Sequence, residues 1–313
     1  MVRAMHVASD ASSGVDLRSA PASSKGRAAL VIAHPGHELT VHGWLERERP
    51  QVFVLTDGSG RSGVARLQST TKVILAAGAR TGSIYGRLPE NAVYRALLGG
   101  DTGLFVSLAE ELAEALVQGG FDRVAGDMEE GFNPVHDIWR MVVNAAVAIV
   151  KCRTGLEMPN YDFSLFRRQD AHDLPGRAGT RLELDEGAFM RKLATARAYP
   201  ELAPEVVAVI EGTMDDPILG DLAIREKVRQ VLGSFGMEAF RIEYFRQLQS
   251  ANPRGDELAP DPPFYEVYGE VLVAAGRYKE VLRHRAHLLP VAEALRRLTT
   301  GEGGAQTSAA AKA

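Results

Sequence analysis

Three of the eight histidines in this 313-residue chain stand beside turn-forming segments that follow apolar runs. His34 and His37 are three residues apart in Ala33-His34-Pro35-Gly36-His37-Glu38, and His136 lies in the stretch DMEEGFNPVHD from Asp127 to Asp137. Two imidazoles at this spacing on a strand-to-helix turn can face one point, and a third from another strand end can complete a tripod. Three neutral ligands with one open position form the donor set of a catalytic zinc site, where a bound water ionises near pH ~7. The same three rings can hold iron or another divalent ion. A His-x-x-His pair also arises by chance, and a buried histidine is commonly a hydrogen-bonded core residue. His42, a turn beyond His37, reads as structural or exposed, and His6 and His172 lie in loose segments with no assigned role.

The elements that must carry these side chains follow from apolar patterning. Ala28 to Ala33 is an unbroken apolar run, which suits a strand buried on both faces. Leu39 to Arg49 is a short helical candidate, and Val52 to Leu55, ending in TDGSGRSG, repeats the strand-then-glycine-loop pattern. A helix is predicted over Ala65 to Ala77 with Gly78 as its stop, and another over Leu104 to Gln118. A short strand from Asp122 to Ala125 precedes the Asp127–Asp137 loop, and Ile138 to Val150 is apolar on nearly all sides, as in a buried helix. This alternation predicts an α/β fold with a doubly wound, mainly parallel sheet. In such sheets ligands sit beyond the carboxyl ends of the strands, where all three histidines fall.

Beyond a soft boundary at 155–185 the pattern turns helical: Phe189 to Ala198, Pro204 to Glu211, Leu222 to Leu232, Phe240 to Gln249 and Val291 to Leu298. The expected organisation is a segment without a core (1–26), a metal-binding α/β core (27–155), a mostly helical C-terminal lobe (156–298) and a similar coreless tail (299–313). Lys plus Arg is 36 against 40 Asp plus Glu, so the chain lacks the basic surplus of a nucleic-acid or membrane-surface binder. One cysteine, Cys152, excludes an internal disulfide and a CxxC metal site and fits a reducing compartment. No apolar run approaches the ~18 residues of a membrane span, and the Ser- and Ala-rich start lacks the apolar block of a secretory signal. A cytoplasmic protein acting on a small molecule is expected, with homo-oligomerisation left open. No P-loop, G-x-G-x-x-G or G-x-S-x-G is present, so neither a nucleotide cofactor nor a serine nucleophile has support.

AHPGHE after an apolar strand, TDG-x-G after the second strand, an arginine entering the next helix and a Pro-x-His on a later loop together resemble the PIG-L/LmbE-like zinc N-deacetylases. The resemblance covers roughly residues 28–150. It implies a Rossmann-like fold and zinc-dependent removal of N-acyl groups from small amine-bearing metabolites such as amino sugars. That family's first motif usually reads Ala-His-Pro-Asp-Asp-Glu, and its later motif His-x-Asp-His. His34 and His136 match ligands, and His37 stands where the ligand aspartate would be. Gly36 occupies the position of the general base, and Asn133 that of the histidine which helps stabilise the oxyanion. An amide can still donate one hydrogen bond to developing negative charge. Arg66 matches an arginine that contacts substrate, with Arg61 the competing choice and a surface charge the plain alternative for both.

Three histidines in place of two histidines and an aspartate leave the site one charge more positive, which favours ionisation of bound water. An amine leaving group still requires a proton. Glu38, Asp127 and Glu130 are the candidate proton carriers, although Asp127, Glu129 and Glu130 equally describe a solvated acidic loop. Asp137 is placed to orient a ligand as a hydrogen-bond acceptor. In the C-terminal part, Tyr265, Tyr268, His284 and His287 read either as packing and surface residues or as a wall over the site that supplies the missing donor. Specificity is expected from the segment 80–101, read as a loop, and from that C-terminal part. Gly36 and Asn133 also leave open a catalytically altered relative that binds a small ligand or runs another metal-assisted reaction.

Overall fold

The computed structural model describes residues 15–16, 26–60, 63–165, 179–202, 237–248 and 261–300. Its frame is one eight-stranded sheet in the order β1-β7-β8-β6-β5-β2-β3-β4. The strands are β1 (Val15–Asp16), β2 (Arg27–Ile32), β3 (Gln51–Thr56), β4 (Arg80–Leu88), β5 (Phe121–Asp127), β6 (Asn160–Phe163), β7 (Gly179–Glu183) and β8 (Ile242–Gln247). β4, β3, β2, β5 and β6 run parallel, and β8 pairs antiparallel with both β6 and β7. β1, within the segment expected to lack a core, pairs in parallel with β7.

The predicted burial of β2 on both faces is observed, and its period of two explains how one strand serves two cores. Ala29, Val31 and Ala33 join Phe53 and Leu55 beneath α4 (Thr102–Gly119) and α5 (Pro134–Thr154). Ala28, Leu30 and Ile32 join Val52 and Val54 on the opposite face, against α1 (His42–Glu48) and α2 (Leu67–Ala76). The ends of these helices follow their local chemistry. Asp101 caps α4 by accepting from Leu104 N at 3.1 Å, and Asn133 caps α5 by accepting from Val135 N at 2.8 Å with Pro134 at the first position. Gly120 and Gly155, in the left-handed region at φ 60° and 74°, end them.

The strand order reverses between β2 and β5. β3 and β4 lie to one side and β6 to the other, so the crevice at the carboxyl ends of β2 and β5 is the topological switch point. Among the described residues no helix is long and apolar enough to cross a membrane.

Three local expectations are corrected. The helix expected over Phe240 to Gln249 is not formed by the described residues 240–248: a 3-10 turn (Met237–Arg241) leads into β8. Glu243 and Arg246, three apart, imitate a helical polar stripe, yet both are fully buried with partners. The segment 80–101 is not a loop but β4 followed by α3 (Glu90–Leu98), the strand pattern being hidden by Gly82 and Gly86 on an exposed edge. The loop expected as far as Asp137 ends at Asn133, so His136 sits in the first turn of α5.

The C-terminal part therefore supplies strands to the same sheet as well as helices α6 (Glu186–Arg197), α7 (Phe264–Ala274) and α8 (Leu289–Thr300). The helices expected over 204–211 and 222–232 lie outside the described residues.

Buried charge fastens this part to the first half. Glu243 on β8 accepts from Gly43 N at 2.8 Å and Trp44 N at 2.7 Å, in the first turn of α1. Lys192 on α6 donates to Glu243 at 2.8 Å and to Thr40 O at 2.6 Å. Removing one partner of such a pair leaves an uncompensated buried charge, so Glu243→Ala is expected to lower unfolding free energy by about 3–5 kcal/mol. Urea denaturation monitored by tryptophan fluorescence checks this, and an unchanged midpoint would contradict it.

Candidate functional site

The switch-point crevice collects side chains from four strand ends. β2 ends at Ile32, and the chain turns through His34-Pro35-Gly36 into a 3-10 turn (His37–Leu39). Gly36 has φ +105°, a left-handed conformation that glycine adopts without the strain a side chain would bring. Glu38, completely buried, accepts from Gly36 N at 2.8 Å and so braces the turn from within. This turn brings His34 and His37 onto the same side. α5 delivers His136 from across the β2–β5 pair.

The three rings meet. Centroids are 5.2 Å apart for His34–His37, 5.0 Å for His34–His136 and 4.6 Å for His37–His136. Imidazoles sharing a tetrahedral ion through ~2.05 Å bonds would have ring centres roughly 5 Å apart. The spacing matches a shared ligand set. The donor nitrogens are less advanced: among the described residues no group of three or more His, Cys, Asp or Glu side chains has its donors gathered as a formed metal site. The rings meet edge to face, at 63° to 84° between planes.

Hydrogen bonding fixes which nitrogen of His34 and of His37 is available. The Ala33 carbonyl can only accept, so Thr56 Oγ1, 3.1 Å away, donates to it. The same oxygen must then accept from His34 Nδ1 at 2.7 Å. Nε2 of His34 is left bare, buried and without a hydrogen-bond partner. His37 Nδ1 lies 2.9 Å from Asp127 Oδ2, which also accepts from Ala33 N at 2.7 Å. A carboxylate behind an imidazole is the arrangement that orients a metal-binding histidine through its other nitrogen. An orphaned Nε2 on a backed ring is the feature a metal would satisfy, and this donor set fits zinc.

Electrostatics keeps His34 and His136 in the neutral, ligating form. Burial, followed by the neighbouring rings, holds His34 well below the ordinary imidazole range. Burial, then His37, pushes His136 down to about 3. Burial alone would raise Asp127, but His37, His136 and the Ala33 N–H outweigh it, and its carboxyl sits below the usual range.

The remaining sequence candidates occupy different places. Asp127 is at the cluster, with Oδ2 committed to His37 and Ala33 and Oδ1 buried without a partner. Glu38 lies behind the turn, where burial pushes its carboxyl up against the opposing effects of the Thr70 hydroxyl and the Gly36 N–H. Glu130 accepts from Ser164 Oγ and, at 2.9 Å, from Leu165 N, so its carboxylate ties the β5–α5 loop to the end of β6. Asp137 accepts from Glu130 N and Gly131 N instead of from a histidine, and burial pushes it up to about 7. Asn133 spends its side-chain oxygen on the α5 cap, at 2.8 Å from Val135 N.

Arg66 immediately precedes α2. Its Nε is buried without a partner and would lie 2.8 Å from a Cβ at Gly58, so glycine there makes room for it above the His34 turn. Arg61 lies outside the described residues. Thr56 and Glu90 are further participants: Thr56 is the first residue of TDG-x-G, and Glu90 carries no signal beyond its position after a strand end. Glu90 Oε2 is 3.7 Å from His34 Nδ1.

The C-terminal aromatic segment does approach the site loop. Phe264 stacks on Phe132 at 4.8 Å, and Tyr265 N donates to Gly131 O at 3.3 Å. His284 and His287 stand in a π-helical turn (His284–Leu288) and are bonded locally, His284 Nδ1 to Tyr265 OH at 3.0 Å and His287 Nδ1 to Arg283 N at 2.8 Å.

No protein-family profile and no curated protein sequence matches the chain. Solved structures do align with it. The zinc-inhibited form of teicoplanin deacetylase Orf2 aligns at TM-score 0.44 and 13% identity, over 71% of this chain and 97% of that one. The A40926 pseudoaglycone deacetylase Dbv21 aligns at 0.45 and 16%, over 73% and 99%. The conserved protein TT1542 from Thermus thermophilus aligns at 0.43 and 17%, over 72% and 96%. At these scores the likenesses add no residue to the site.

Two measurements check this geometry. A Cβ at Gly36 would stand 2.3 Å from Leu202 Cδ1, so an aspartate there displaces Leu202 instead of entering a vacant pocket. Gly36→Ala is expected to cost about 1–3 kcal/mol, part of it recovered in a Leu202→Ala background, by urea denaturation; equal stability of all variants would contradict this.

For metal-free protein, an imidazole held below its unfolded value binds fewer protons when folded, so stability is lost as pH falls from about 6.5 towards 3. Asp137 acts in the opposite sense, because its carboxyl is raised. The difference between wild type and His136→Gln reads this imidazole together with its effect on His34 and Asp127, all acting in one direction: the variant is expected to lose less stability between pH 7 and 4, and parallel curves would contradict the assignment.

Proposed function

We propose that this chain is a divergent relative of the PIG-L/LmbE-like deacetylases, a metal-dependent hydrolase that removes an N-acyl group from a small amine-bearing metabolite. The observation that carries this reading is the convergence of three imidazoles at the switch point, two of them backed by Thr56 and Asp127, with His34 Nε2 buried and bare. His34, His37 and His136 would hold the ion, zinc being the metal their donor set suits. Bound there, zinc would supply Lewis acidity to an acyl carbonyl and make water more acidic.

The chain's own residues support the remaining tasks. Thr56 and Asp127 accept from Nδ1 of His34 and His37, which favours the tautomers whose Nε2 carries no proton. Asp127 Oδ1 is the acceptor left over at the cluster and is the candidate to take and return a proton, in place of the base that Gly36 lacks. Arg66, at the mouth beside Gly58, supplies positive charge for a polar substrate group. Glu38 and Glu130 brace the two loops instead of carrying protons, since their carboxylates serve backbone amides.

The contact between position 36 and Leu202 favours one competing reading, a relative that has kept the ligand set and lost hydrolysis. Amine release from a panel of N-acylated amino sugars and amino acids separates the two. Zinc-loaded protein is expected to release amine, with at least a 100-fold loss in His136→Ala. Stoichiometric zinc without release would favour the binding reading, and absence of zinc binding would overturn both.

A further inference from the structure

A carboxylate outside every motif faces the outer nitrogen of His34. Glu90 opens α3 directly behind Pro89, at the carboxyl end of β4. Its Oε2 is 3.7 Å from His34 Nδ1, and the side chain is only 16% exposed. The β3 loop fixes where α3 begins, since Asp57 Oδ1 accepts from Glu90 N at 3.3 Å. Gly60 borders the carboxylate closely: a Cβ there would stand 3.2 Å from Glu90 Oε2. Arg66, Asp57 and His37 are the other charged or titratable groups whose fields reach Glu90.

Thr56 Oγ1 accepts the Nδ1 proton of His34 but, being neutral, chooses between tautomers only through its own bond to Ala33 O. A negative charge on the Nδ1 side adds a second bias. It favours a proton on the near nitrogen over one on the far nitrogen, and inside a low-dielectric pocket that preference is little screened. We propose that Glu90 is a positioning residue, whose charge holds His34 in the Nδ1–H form and keeps Nε2 bare towards the ring cluster. The tautomer claim stands on this geometry alone, and its consequence for metal binding rests on the proposed function above. Partners hydrogen-bonded to a ligating histidine change metal affinity by ~10–100-fold when removed; Glu90 acts at 3.7 Å through its charge alone, so the lower end of that range bounds its effect.

Glu90→Gln preserves shape and removes charge, while Glu90→Asp keeps the charge. In metal-free, histidine-labelled protein at neutral pH, long-range 1H–15N correlation reads the His34 tautomer, and Co2+ titration followed by visible absorption reads affinity. Wild type and Glu90→Asp are expected to show Nδ1–H. Glu90→Gln is expected to raise the Nε2–H fraction and to weaken Co2+ by up to about 10-fold. An unchanged His34 tautomer in Glu90→Gln would overturn the positioning role, whatever Co2+ does. A wild type that takes up no Co2+ while its tautomer still depends on Glu90 would instead sink the metal reading and leave the positioning role standing.

Discussion

One carboxylate oxygen joins the two strands on which the crevice depends. β2 and β5 pair as far as Val31 and Gly126, and the next residues must part to open a site at the switch point. Asp127 Oδ2 continues the connection beyond the last backbone pair by accepting from Ala33 N, and the same atom accepts from His37. Gly126 makes the approach feasible, because a Cβ there would lie 2.3 Å from Val31 O. The charge is sealed from water, so its two donors are what make burial tolerable. Loss of Asp127 would thus release the strand ends and one imidazole together.

Around that tie, each ring is held by a different element. Thr56 at the end of β3 orients His34, Asp127 at the end of β5 orients His37, and the cap by Asn133 sets the first turn of α5 that presents His136. Buried acids next to these elements serve scaffolding. Glu38 bonds Gly36 N, Asp137 bonds the amides of Glu130 and Gly131, and Glu130 reaches across to β6. An acidic loop that resembles a store of proton carriers is in large part a set of amide acceptors.

Much of the first half of the fold was legible because its signals are local, while β4 and α3 were not, the strand pattern being broken by Gly82 and Gly86. The apolar run of β2, the glycine stops and the His-x-x-His turn each depend on a few adjacent residues. Convergence of His136 was legible only through the rule that ligands gather beyond parallel strand ends. β8 was not, because its Glu243 and Arg246 are buried through partners on α1, α6 and β6, contacts that no window of sequence contains. The roles of Glu130 and Asp137 were hidden for the same reason, since residue type announces a carboxylate but not its hydrogen-bond donors. Thr56 opens TDG-x-G and Glu90 stands in no motif; only the sheet brings their strand ends beside His34.

Gly36 marks where this chain departs most from the family it resembles, and the departure is structural as well as chemical. The backbone is left-handed there and Leu202 covers the position, so the missing carboxylate is not a vacancy awaiting a side chain. The central claim is that the three rings are a ligand set and not a packed aromatic cluster. Anomalous diffraction at the zinc edge, from crystals of zinc-loaded wild-type protein, tests it most directly. The account predicts one peak bonded to a nitrogen of each of His34, His37 and His136; a peak elsewhere, or none at the crevice, would contradict it.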